Sequence, residues 1–108
     1  MVTTKHKFST FGEHLRALRV QTEQSLREVA SHLDIDPSLL AKIERNERQP
    51  TKQLIKAVAD YFNADEKELQ NDFLSDQIAY KILDEEADLA ILKVAEQKVS
   101  YLKTKRNG

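Results

Sequence analysis

The chain has no cysteine, and glycine and proline occur only twice each in its 108 residues. Without cysteine, disulfide scaffolds and zinc sites built on thiolates are excluded. No alternating apolar run marks a strand, and no window is long and apolar enough to span a membrane. The first residues carry no apolar stretch of the kind found in secretion signals. We therefore expect an all-α protein that resides in the cytoplasm and has no membrane partner.

The charges are nearly balanced, with 17 Lys and Arg against 18 Asp and Glu. Residues 1–50 hold eight basic against seven acidic side chains, residues 51–72 three against five, and residues 73–108 six against six. DNA-binding domains are often basic as a whole. Any affinity for nucleic acid must therefore come from a few cations placed on one face.

The most informative segment is residues 25–50, SLREVASHLDIDPSLLAKIERNERQP. Ser25 and Glu28 have the spacing of a capping box, in which each side chain accepts a hydrogen bond from the backbone N–H of the other. Apolar residues spaced three and four apart follow, which predicts a helix over 26–33.

A second helix start follows almost at once. Asp36 is a good N-cap, and Pro37 fits the first helical position because its missing N–H would have no partner there. We predict a helix over 37–45. Only Asp34 and Ile35 lie between the first helix and the Asp36 cap of the second, so the two helices must cross steeply in a helix-turn-helix. Such a unit can present its second helix to a DNA major groove.

Further helices are predicted on both sides of this unit. Capping signals at Thr10, Thr51 and Asp65 predict helices over about 10–21, over 52–62 and from residue 66 onward. The predicted stops carry no glycine, and Asx residues, which tolerate a left-handed backbone, take its place. These stops are Asp34, Asn46 and Asn63. The residues expected to face the core include Phe11, Leu15, Leu18 and Val20.

The combined pattern resembles the Xre/Cro/CI-type helix-turn-helix regulators, a phage-repressor-like family. The stretches that carry the resemblance are FGEHLRALR (11–19), SLREVA (25–30), SLLAKIERNERQP (38–50) and LIKAVADYFN (54–63). The resemblance implies a compact five-helix lambda-repressor-like domain over residues 9–70. Residues 71–108 lie beyond it as a helical extension.

The resemblance implies that the first residues of the 37–45 helix, and one residue a turn later, read base edges. In this chain these are Pro37, Ser38 and Lys42. Pro37 cannot donate a hydrogen bond, whereas Ser38 suits several bases and Lys42 suits guanine or a phosphate. Leu39 either contacts a thymine methyl group or is half-buried.

Other cations around this helix are candidates for phosphate contacts. Many family members carry a Gln that contacts the DNA backbone where this chain has Leu26. Leucine cannot make this contact, so we expect Arg27 to contact a phosphate instead. Lys5 and Lys7 lie in a polar segment that is either a solvated tail or an arm on the DNA. The predicted phosphate-binding residues are Arg27, Arg45, Arg48, Thr51 and Lys52.

The resemblance also implies a partly buried ion pair between Arg19 and Glu44. A bidentate pair of this kind would tie the first helix to the 37–45 helix. The alternative is an exposed Glu44. The role of the pair would be structural, since removing one partner would leave a desolvated charge.

The extension continues as helix, and Asp84-Glu85-Glu86 predicts the start of a last helix over about 85–103. Its apolar residues cover more than one face and need a partner surface. That surface is either the chain's own domain or the same helix of a second subunit, and we favour the second. The predicted dimerisation residues are Ile78, Ile82, Leu89, Leu92, Val99 and Leu102.

The leading hypothesis is a homodimeric, sequence-specific transcription regulator of double-stranded DNA, with a near-palindromic operator. Phage-type repressors, antitoxins and restriction–modification controllers all have this build. The alternative is a protein–protein adaptor that keeps the fold without binding DNA. His6, His14 and His32 are far apart, and no catalytic or phosphate-loop motif occurs. We therefore expect no enzyme activity, metal, cofactor or small-molecule ligand.

Overall fold

A computed structural model describes residues 9–107, and these residues form six helices and no strand. The all-α class is therefore confirmed. The predicted N-terminal arm with Lys5 and Lys7 lies outside the described residues. The helices are α1 (Phe11–Gln21), α2 (Leu26–Leu33), α3 (Pro37–Glu44), α4 (Lys52–Phe62), α5 (Glu66–Asp84) and α6 (Ile91–Asn107).

The helix starts follow the capping residues predicted from sequence. The Thr10 hydroxyl accepts from the backbone N–H of Glu13 at 3.2 Å, and the Glu13 carboxylate accepts from that of Thr10 at 3.0 Å. Ser25 and Glu28 make the same reciprocal pair at 3.0 and 2.8 Å. Each box satisfies N–H groups that have no partner within the helix.

Five helices end at a residue in the left-handed conformation, and none of these residues is glycine. Asp34, Asn46 and Asn63 occupy three of the five positions, as predicted. Glu23 and Glu86, which were not predicted, occupy the other two. Each end has the paired bonds of a Schellman motif, which satisfy carbonyls of the last helical turn.

The core lies between α1, α2, α3 and α4, and Leu69 of α5 completes it. The apolar stripes predicted for these helices supply most of the buried side chains. The prediction that Val20 faces the core was wrong, because this side chain is 49% exposed on the last turn of α1. The fully buried side chains of largest volume are Phe11, Leu15, Leu40, Ile43, Ile55, Leu69, Val29 and Val58.

The chain divides into two compact units, and the division falls inside α5 between Asp76 and Gln77. The sequence analysis predicted the boundary between the domain and its extension after residue 70. The first unit extends further because Asp72 and Asp76 of α5 both bond to α1. Among residues 9–107, no helix is long and apolar enough to cross a membrane.

The second unit contains the end of α5, a turn and α6. The last helix begins at Ile91, so its predicted start at residue 85 was wrong. Glu86 adopts a left-handed conformation that ends α5, and the Asp88 carboxylate accepts from the backbone N–H of Ala90 at 2.8 Å. The acidic triplet therefore lies at the end of one helix instead of the start of the next.

Candidate nucleic-acid interface

The N-terminus of α3 presents Pro37 and Ser38 to solvent. Asp36 caps the helix by accepting from both the backbone N–H and the hydroxyl of Ser38, each at 2.8 Å. These hydrogen bonds lower the pKa of Asp36, which keeps the carboxylate ionised. Because the Ser38 hydroxyl donates to Asp36, its oxygen is left to accept from a base amino group.

Lys42 lies one turn after Ser38 on the exposed face of α3. Its charge contributes to lowering the pKa of both Asp36 and Glu47, so the ammonium group lies near two carboxylates. Leu39 is partly buried against the core. Of the two alternatives for Leu39, the structure shows the half-buried one.

The loop after α3 carries two predicted phosphate ligands, and one of them already has a partner. Arg45 donates to Glu47 through Nε at 2.9 Å and Nη2 at 3.2 Å. This pairing raises the pKa of Arg45 and lowers that of Glu47. Since both side chains are exposed, the pair is weak and a phosphate group can compete for the guanidinium. Arg48 is exposed a few residues further on.

Thr51 and Lys52 lie at the start of α4. The Thr51 hydroxyl caps the helix by accepting from the backbone N–H of Leu54 at 3.0 Å. The free N–H groups and positive dipole end of a helix start favour an anion. Lys52 is exposed at the first helical position, and Arg27 is exposed near the start of α2.

Helix α3 is held in place by Arg19 and Glu44. Arg19 donates to the two carboxylate oxygens of Glu44 from Nε at 2.7 Å and from Nη2 at 3.0 Å. Its Nη1 donates to the backbone carbonyl of Gln24 at 3.0 Å. The side chains are only 13% and 4% exposed. The hydrogen bond to Glu44 raises the pKa of Arg19, so the guanidinium group stays charged.

Gly12 is a positioning residue that sequence reasoning missed. A Cβ at this position would lie 2.4 Å from the carbonyl oxygen of Ile43 and 2.7 Å from that of Glu44. Helix α1 therefore lies directly against the end of α3. The signal in the sequence was an isolated glycine inside a helical pattern, which often marks close packing.

Two histidines have roles that the sequence did not reveal. His14 is buried, and its Nδ1 lies 2.6 Å from a carboxylate oxygen of Asp72 in α5. The exposed His32 ring stacks on Tyr61 with 4.7 Å between the ring centroids. Both contacts are structural, and the expected absence of a metal or an enzymatic role stays a prediction.

The surface formed by α2, α3 and the start of α4 has little net charge. Between residues 26 and 52, five exposed Lys and Arg face four exposed Asp and Glu, because Glu44 is buried. The cations are Arg27, Lys42, Arg45, Arg48 and Lys52. A single copy of this surface would bind a phosphate backbone weakly.

The predicted dimerisation residues all lie in the second unit. Ile78 and Ile82 are on α5, Leu89 is in the following turn, and the other three are on α6. Ile82 is partly buried and the other five are exposed. The structure contains one copy of the chain, so their role in dimerisation stays a prediction.

Helix α3 follows α2 after a tight turn, is capped by Asp36 and lies against α1 at Gly12. This arrangement defines a helix-turn-helix domain. The family model described as helix-turn-helix domain matches residues 10–71, which is more than half of the 108 residues, and the chain belongs to this family. The match confirms the predicted helix-turn-helix fold and is consistent with the Xre-type resemblance. It indicates a DNA-binding regulator. A search of curated proteins gave no match.

Proposed function

We propose that this protein is a transcription regulator that binds a near-palindromic operator as a homodimer. The observation that carries the proposal is the exposed face of α3, where Ser38 and Lys42 lie one turn apart on a helix locked to α1. Ser38 would accept from a base amino group, and Lys42 would donate to guanine or a phosphate.

A homodimer accounts for the weak charge of one binding surface. Two copies double the phosphate contacts and therefore the counterions released on binding. A two-fold dimer would place its α3 helices in successive major grooves, with half-site centres about 34 Å apart.

Selection from a random DNA library tests the proposal. The full chain, Lys42→Ala and the control Lys67→Ala, which changes an exposed lysine of α5, would be compared at low salt. We expect the parent and the control to enrich an inverted repeat that Lys42→Ala loses or relaxes. Failure of folded, dimeric protein to enrich any site would exclude sequence-specific binding.

A protein–protein adaptor is the second candidate, and the even local charge favours it. Asp36 stays ionised at the start of α3, and Glu47 occupies the Arg45 guanidinium. Substituting Glu47→Gln separates the two functions. Removing this carboxylate should tighten DNA binding if the surface meets phosphate, whereas an adaptor would show no DNA binding before or after the change.

A further inference from the structure

The second unit exposes most of the large apolar side chains at the surface. Ten of the twelve exposed large hydrophobic residues in the described chain lie between residues 77 and 107, and Leu83 and Leu89 are 69% and 68% exposed. None of the described residues in this range is buried. So much apolar surface on a short helical segment is a mark of an interaction site.

One stripe of α6 has the spacing of a helix that pairs with another helix. Leu92, Ala95, Val99 and Leu102 follow one another at intervals of three, four and three residues, which places them on one side. The spacing of three, four and three is the same in both directions along the helix. If two copies of α6 run antiparallel about a two-fold axis near residue 97, Leu92 meets Leu102 of the other copy and Ala95 meets Val99.

The charges at the two ends of α6 favour this antiparallel orientation. The turn before α6 is acidic, and the last turn of α6 is basic. In the register given by the stripe, position 106 of one copy lies opposite position 88 of the other. A parallel pair would instead place like charges together at both ends. The acidic residues are Asp84 at the end of α5 and Glu85, Glu86 and Asp88 in the turn, and the basic residues are Lys103, Lys105 and Arg106 in α6.

We propose that α6 pairs antiparallel with α6 of a second copy, with the basic end of each helix against the acidic turn of its partner. The inference rests on the proposed homodimer and specifies its interface, but it does not require that the protein bind DNA. An isologous contact of this kind closes with two copies. The helix is about 25 Å long at about 1.5 Å per residue, so the contact reaches both charged ends.

Disulfide cross-linking tests the orientation directly, because the chain has no cysteine of its own. Ala95→Cys and Val99→Cys variants of the full chain would be oxidised separately and as a mixture. In an equimolar mixture, random pairing alone gives about twice as much mixed disulfide as either self-linked product. We expect the mixed disulfide to exceed this ratio by far and each variant alone to link poorly, since only the 95–99 pair approaches within the reach of a disulfide. Efficient linking of Ala95→Cys to itself would show a parallel pair and overturn the proposal.

Sedimentation tests the contribution of charge. Lys105→Glu should raise the dimer dissociation constant about fivefold, because the two-fold axis makes each substitution act twice in the dimer. Adding Glu86→Lys to the same chain should restore most of the affinity between copies. The control Lys93→Glu changes an exposed lysine on the side of α6 that faces away from the stripe and should have little effect. An equally weak dimer in the control, or no recovery in the double variant, would contradict the charge pairing.

The dimer interface and DNA binding can fail independently. A parent protein that is monomeric at all concentrations overturns the interface. A cross-linked antiparallel dimer that enriches no DNA site supports the interface and excludes the proposed role as a sequence-specific regulator. Circular dichroism of each variant confirms that α6 is still helical.

Discussion

Gly12 allows α1 to lie against the carbonyl groups at the end of α3. Gly12→Ala should destabilise the fold by about 1–3 kcal/mol, since the new methyl group meets backbone oxygens that cannot move independently. This destabilisation opposes the better helix propensity of alanine. Chemical denaturation measures it, with Gln21→Ala on the exposed end of α1 as the control. A variant as stable as the parent would show that the two helices separate without cost.

Asp76 is a source of pH dependence. Its carboxylate accepts from the backbone N–H of Phe11 at 2.8 Å, and burial is the main reason that its pKa is raised above 3.8. Because protonation is easier in the folded state, its contribution to stability is present below pH 3.8 and disappears as the pH rises through the folded-state pKa.

The Asp76→Asn variant isolates this effect. The amide oxygen can still accept from Phe11, and the unfavourable charge is gone. We expect the variant to be more stable than the parent at pH 7 and to lose that advantage near pH 3.5. Unfolding at both pH values measures it, with Asp60→Asn at an exposed position of α4 as the control. An advantage that does not change with pH would refute the assignment.

Among the helices, the Arg19–Glu44 pair joins α1 to α3. Arg19→Ala should cost about 3 kcal/mol because it leaves a buried carboxylate without its partner. Adding Glu44→Gln should recover part of that stability, since no charge is then left buried. A double-mutant cycle from denaturation data gives the coupling. Additive effects would show that the two residues act independently.

The helix ends offer an opportunity to stabilise the protein. Glu23 follows α1 with φ of 56°, a conformation that disfavours side chains with a Cβ. Glu23→Gly should raise the free energy of unfolding by about 0.5–1 kcal/mol, after allowing for the greater freedom of glycine in the unfolded chain. Glu23→Ala keeps the Cβ and serves as the control. Equal gains from both variants would point to charge instead of backbone strain.

For the molecule as a whole, salt dependence reports how the DNA-binding cations are distributed. A double-logarithmic plot of affinity against salt should have a slope of about −0.9 for each phosphate neutralised by the dimer. Lys52→Ala or Arg48→Ala should make the slope shallower by about 0.9 for each phosphate that is no longer neutralised, on any DNA sequence. Lys67→Ala should leave the slope unchanged. If Arg48 and Lys52 behave like Lys67, phosphate binding lies elsewhere on the surface.

Much of the fold could be predicted because its signals are local. Thr10, Ser25, Asp36 and Thr51 cap the helices at the expected positions, since each cap depends on residues two or three places away. The start of α6 could not be read in the same way. The acidic triplet suits a helix N-terminus, yet Lys81 bonds to Glu85 at 3.3 Å and the segment completes α5.

The candidate site also has features that the sequence predicted and features that it did not. The types and spacing of Ser38 and Lys42 were visible in the chain, because one helical turn places them on the same side. Two hydrogen bonds of the site could not be predicted: the one from Arg45 to Glu47 and the one from Ser38 to Asp36. Both depend on the side-chain conformations that the folded backbone allows.

Local patterns in the chain were enough to predict most of the helices, their caps, three of the left-handed ends and the family of the domain. These features follow from short-range hydrogen bonding and from apolar spacing along one helix. Folding in three dimensions was needed to bring Gly12 against α3, to pair His14 with Asp72 and to join α5 to the first unit as far as Asp76. His14 and Asp72 are 58 positions apart, and the geometry of such contacts is set by the packing of whole helices against one another.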